Sequence, residues 1–181
     1  MPRSLDRGRL KIKNGFSQNQ QMLPYKEMPS DSRVWVYQSN RAFTDTEIAE
    51  IKNKAFAFVE AWTAHGKALR ACIEIFYARF VIVFVDEKQA LASGCSIDKA
   101  FNFIQTLERE FIVKLLDRML VAYRKEDAIY SCTMPVFQKL IEKNEVNENT
   151  IVFNNLVSTK ADFESKWEVP LKDSWHFGVK F

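Results

Sequence analysis

Phe80-Val81-Ile82-Val83-Phe84-Val85-Asp86 is the stretch whose reading decides the fold. Six β-branched or aromatic residues in succession favour an extended chain, and the run is too short for a helix of ordinary length. In a strand, Phe80, Ile82 and Phe84 project to one face while Val81, Val83 and Val85 project to the other. Both faces are apolar, so both must be covered.

Just before this strand, residues 69–77 alternate. Ala71, Ile73 and Ile75 point one way and Arg70, Cys72 and Glu74 the other, the pattern of a strand with one wet face. The two strands predict a hairpin that reverses near residues 77–79. Further back, Val34-Trp35-Val36-Tyr37-Gln38 reads as a short strand. Phe43-Thr44-Asp45-Thr46-Glu47-Ile48 then carries the strongest local signal in the chain: Thr44 as N-cap, Glu47 closing a capping box, and Phe43 with Ile48 as a hydrophobic staple. The helix it starts buries Ile48, Ile51, Ala55, Phe58, Val59 and Trp62, and Gly66 supplies a left-handed stop. His65 beside Gly66 reads as a helix-end residue, favoured there by the dipole.

On the other side, residues 96–114 predict a second helix with Ile97, Phe101, Ile104, Leu107 and Phe111 inward. A strand at 119–123, a charged turn at 124–127 and a strand at 128–132 follow. Thr133 and Pro135 open a short helix bearing Val136, Phe137, Leu140 and Ile141. Residues 151–157 form a last strand, Thr159 begins a helical turn, and Pro170 ends regular structure. The order β-α-β-β-α-β plus a C-terminal strand and helix extension predicts an α+β fold with an antiparallel, ferredoxin-like sheet. Such a sheet is helix-covered on one face, so cover for Phe80, Ile82 and Phe84 must come from the C-terminal extension or from a second copy in a homodimer.

Composition bounds the function. The chain of 181 residues is 47% hydrophobic and 13% aromatic, enough for one substantial core. Its longest apolar run falls well short of the roughly 20 residues of a membrane helix, and no leader pattern opens it. The net charge of +3 divides unevenly. Residues 1–21 hold five cations (Arg3, Arg7, Arg9, Lys11, Lys13) against Asp6, a net +4, which leaves −1 for the rest. The folded part lacks the basic surface that nucleic acid requires. The polar, glycine-containing tail 1–21 predicts disorder ahead of a single domain at 22–181, and Met22 is compatible with an extended start. Cys72, Cys95 and Cys132 are odd in number and widely spaced, which predicts free thiols in a reducing cytosol and no zinc site.

Ala92-Ser93-Gly94-Cys95-Ser96-Ile97-Asp98 is a small-residue loop that runs into the second helix. Three readings stay open there. Cys95 or Ser96 caps the helix with Asp98 in its first turn; or Ser93, Gly94, Cys95, Ser96 and Asp98 bind a small anion through free amides; or Cys95 is a thiolate nucleophile. His65 and His176 are the only imidazoles available as its base. Asp86 and Glu87, at a strand end, read as a solvated boundary that could also serve as an acid or base. The histidines and carboxylates show no metal-ligand spacing, and no cofactor motif occurs.

The segments VWVYQSNRAF (34–43), AWTAHGKAL (61–69), DEKQALASGCSID (86–98) and KDSWHF (172–177) resemble a family of small bacterial proteins that sometimes carries the label ABC-transporter ATPase. The resemblance spans almost all of the chain after the tail and brings no active site with it. A Walker A loop requires G-x-x-x-x-G-K-[ST] between a strand and a helix. The nearest match, 61–68, lacks the first glycine and the final Ser or Thr. The sequence thus predicts a cytosolic, non-enzymatic binding module for a small anionic ligand, with a Cys95-dependent enzyme as the competing class.

Overall fold

The computed structural model describes residues 23–88 and 92–178; the tail 1–21, expected to be disordered, lies outside the described residues. Strand β1 (Arg33–Gln38) leads to helix α1 (Asp45–Ala61), which starts as its sequence dictates. Thr44 accepts the Glu47 N–H, the Glu47 carboxylate accepts the Thr44 N–H, and Phe43 and Ile48 join the core beneath. The helix stops at Trp62, before Gly66. A two-stranded hairpin, β2 (Thr63–Ala64) with β3 (Lys67–Ala68), follows, and His65 and Gly66, at φ 50° and 77°, make its turn. That pair of left-handed residues is the primed turn a two-residue hairpin requires. His65 therefore sits in a β-turn and not at the helix end.

β4 (Arg70–Phe76) and β5 (Phe80–Asp86) form the expected hairpin, reversing through Tyr77, Ala78 and Arg79. β5 is central in a three-stranded antiparallel sheet of order β1-β5-β4. Val81, Val83 and Val85 pack against α1 and α2 (Gly94–Phe111) in a core with Ile51, Ala55, Trp62, Ile104 and Leu107. Phe80, Ile82 and Phe84 lie in a second core with Ala122, Phe153, Val157, Phe163 and Trp167. The C-terminal part of the same chain supplies that cover. Cys72, on the face expected to be wet, is buried for the same reason.

The fold is α+β, but the ferredoxin-like sheet is not completed. The fourth strand of that arrangement, β6 (Leu120–Lys125), joins a separate four-stranded sheet of order β7-β6-β8-β9, with β7 (Ala128–Thr133), β8 (Ile151–Phe153) and β9 (Glu168–Pro170). Its side chains explain the choice. Ala122 faces the first sheet, whereas Val121 and Tyr123 face α3 (Met134–Glu142) in a third core with Phe137 and Leu171. A strand apolar on both faces needs a layer on each side, and the position between sheet and helix provides both. Helix α4 (Lys160–Lys166), capped by Thr159, closes the second core with Phe163. With β6 elsewhere, β1 remains the edge of its sheet.

Candidate functional site

The loop expected to hold the site is a helix cap. The Ser93 Oγ accepts the Ser96 N–H at 3.3 Å, and the Ser96 Oγ donates to the Ser93 carbonyl at 2.8 Å. Ser96 is buried, and its carbonyl accepts the Trp62 indole N–H at 2.9 Å, which fastens the end of α1 to the first turn of α2. Gly94, Cys95 and Asp98 are exposed. No nucleophile–base contact to Cys95 occurs among the described residues. Asp86 and Glu87 have structural partners: Asp86 pairs with Arg70 at 3.3 Å and accepts the Lys88 N–H, while Glu87 meets Arg33 at 3.5 Å and accepts the Ala92 N–H.

A cavity of about 640 Å³ lies along β1, at the edge the diverted β6 leaves open. On one side stand Trp35 and Tyr37, facing α2, whose Ile97, Ala100 and Phe101 form the opposite wall. Ile97 and Phe101 were expected in the core. The buried stripe of α2 runs instead through Ser96, Ala100, Ile104, Leu107 and Phe111, and this rotation leaves Ile97 and Phe101 for the cleft. Leu116 and Arg118 come from the loop between α2 and β6, Asn155 and Leu156 from the loop after β8, and Trp175 and His176 from the C-terminal segment. Phe101, Leu156 and Trp175 remain 44%, 69% and 39% exposed at this site. Large apolar side chains clustered around one opening mark a binding surface far more often than scattered ones do.

The polar groups are few and placed. The Gln38 amide donates to the Ser131 hydroxyl at 3.0 Å and accepts from Asn155 Nδ2 at 2.7 Å, and Asn155 Oδ1 accepts the Trp167 indole N–H at 3.2 Å. This chain of bonds ties β1 to the second sheet. His176 is 4% exposed, stacked on Trp175, with Nδ1 2.6 Å from the Ser174 hydroxyl. Burial pushes its imidazole down to about 4, so the ring is neutral near pH 7. Burial raises the Tyr37 phenol above its ordinary value, and the charge of Arg118 opposes that rise. Arg33 is held by Glu87 and lies 4.7 Å from the Trp35 ring centre. Asp117 accepts the Met119 N–H at 3.0 Å and lies 3.9 Å from Lys114. Arg118 is exposed and carries no ion pair among the described residues.

Of the candidate site residues read from the sequence, the cleft uses His176; Ile97 and Phe101, read as core, line it as well. It does not use Cys95. Arg118 and Leu156 carry no sequence signal; Trp35 and Tyr37, two residues apart on a strand and so on one face, are the nearest to one. Among the described residues, no group of three His, Cys, Asp or Glu side chains could hold a metal ion, and no helix is long and apolar enough to cross a membrane. No family model, curated protein or solved structure matches this chain.

Proposed function

We propose that this chain is a cytosolic, non-enzymatic binding module whose ligand, an anion with an apolar body, sits in the cleft beside β1. The observation that carries this reading is Arg118, which makes no ion pair among the described residues, at the wall of an aromatic-lined cavity of about 640 Å³. That volume lies within the range of pockets that take small ligands, roughly 300–1,000 Å³. The apolar walls remove the ligand body from water while Arg118 selects for negative charge. Neutral His176 adds a hydrogen-bonding group without a second charge. The site adjoins the 93–98 loop, where the Ser93 side chain caps the Ser96 N–H, and takes Ile97, Ala100 and Phe101 from α2. Both faces of β5 are covered within one chain, so a homodimer is not needed for that purpose.

Anilinonaphthalene sulfonate, an aromatic monoanion, tests this reading. One saturable site is expected, with quenching of Trp35 or Trp175 fluorescence and affinity at least about tenfold lower in Arg118→Ala, the scale of one lost charge-assisted bond. Binding indifferent to Arg118 would defeat the proposal. The second reading, an enzyme using Cys95, is favoured by one observation: Cys95 is the only exposed thiol of the three. Activity lost on alkylation of Cys95 alone would support it.

A further inference from the structure

β1 uses its outer edge unevenly. The Val34 N–H donates to the Ser158 carbonyl at 2.9 Å and so points away from β5. The Ser39 N–H, an odd number of residues on, turns inward to the Arg79 carbonyl. Alternation along an antiparallel strand then directs both the N–H and the C=O of Val36 outward, at the cleft. Neither has a partner among the described residues. A donor and an acceptor on one residue, both facing outward from an edge, are what the next strand of a sheet takes up. In a ferredoxin-like order β6 would do so, but here it is paired on both sides in the other sheet.

Resting on the cleft reading above, we infer that the ligand is the C-terminal end of an extended peptide. It adds a short strand at Val36, lays an apolar side chain against Trp35, Tyr37 and Phe101, and sets its terminal carboxylate on Arg118. A fatty or aromatic carboxylate would satisfy Arg118 and the apolar walls yet leave the Val36 pair unmatched, whereas a peptide backbone carries both complementary groups at the right spacing. Charge selects the terminus. Arg33 is engaged by Glu87, and Asp117 by Met119 and Lys114, so among the described residues the charge that the cleft leaves without an ion pair is Arg118, a cation suited to a carboxylate.

The test selects random hexapeptides displayed with free C-termini on the full chain. The enriched peptide is then measured as the free acid, as the C-terminal amide and with single N-methyl groups moved along its backbone. The free acid should bind. The amide and one N-methyl form should bind at least about tenfold more weakly. Arg118→Ala should reduce the acid to the affinity of the amide, and hydrogen exchange at the Val36 amide should slow on binding. An amide as tight as the acid, or a selection that enriches nothing beyond an Arg118→Ala control, overturns the inference. If dye binding still depends on Arg118 in that case, the cleft survives as a seat for small anions; if dye binding fails too, both readings fall. A peptide that binds only after removal of residues 1–21 would assign the cleft to the chain's own tail and would equally overturn it.

Discussion

At His176, burial sets a pH dependence whose sign is fixed. An unfolded chain protonates this imidazole near its ordinary value of 6.5, while the folded ring resists down to about 4. Above 6.5 both states are neutral and the residue adds no slope. Between 6.5 and 4 the unfolded state binds a proton the folded state refuses, so stability falls with falling pH, by on the order of 3 kcal/mol at the lower limit. His176→Gln should lose less stability than wild type between pH 7 and 4.5 in urea melts, and equal slopes would contradict the burial of the ring. The thiols divide in a related way. Burial pushes Cys72 up to about 12 and Cys132 up to about 11, whereas Cys95 is exposed. Iodoacetamide at neutral pH should therefore label Cys95 in the native protein and reach Cys72 only after unfolding, as peptide mass spectrometry would show. Gln38, 4% exposed between Ser131 and Asn155, supplies a third case. Gln38→Leu strands the Asn155 amide, a cost of about 1–3 kcal/mol, and should lower the melting temperature by several degrees.

Among the elements, α1 shows how far local chemistry reaches. Its capping box also anchors Arg41, whose guanidinium meets both Glu47 oxygens at 2.7 and 2.8 Å and donates to the Phe111 carbonyl at the end of α2. The hydrogen bonds from Arg41 and the Thr44 N–H lower the Glu47 carboxyl to about 2. Its stabilisation is present above about 4.5 and is lost as pH falls toward 2, a window below that of His176. Thr44→Ala should cost about 1 kcal/mol, read as a fall in denaturation midpoint with unchanged m-value. The capping box was legible because Thr44 and Glu47 lie three residues apart, whereas the Arg41 bond to Phe111 spans seventy residues and gave no local sign. The inward face of α2 was not legible either. Ile97 and Phe101 satisfy the helical period as well as Ser96 and Ala100 do, and the apolar wall of a cleft has the same composition as a core. The destination of β6 was likewise hidden, since its partners β7 and β8 compete with the edge of β1 and the outcome depends on which layers cover Val121 and Ala122.

For the whole molecule, the doubly apolar β5 announced two coverings without naming the second. The structure resolves it as a helix layer, a three-stranded sheet, a four-stranded sheet and a further helix, with the second core between the sheets. The cleft emerges only at this level, because its walls come from five separate stretches of chain and its opening exists only where β6 has left. The same arrangement makes the two sheets interdependent. Phe84 is fully buried, stacked near Tyr25 and edge-on to Phe163, and Phe80 packs on Phe153 and Trp167. Neither sheet can lose the other without exposing these rings to water, at a cost that scales with the apolar area uncovered. Phe84→Ala should therefore lower stability by about 3–5 kcal/mol throughout, not in the first sheet alone. In native-state hydrogen exchange, the slowest amides of β5 and β6 should open with the same free energy and fall by the same amount in the variant. If β5 weakens while β6 keeps its protection, the sheets open as separate units, and the second core does not couple them.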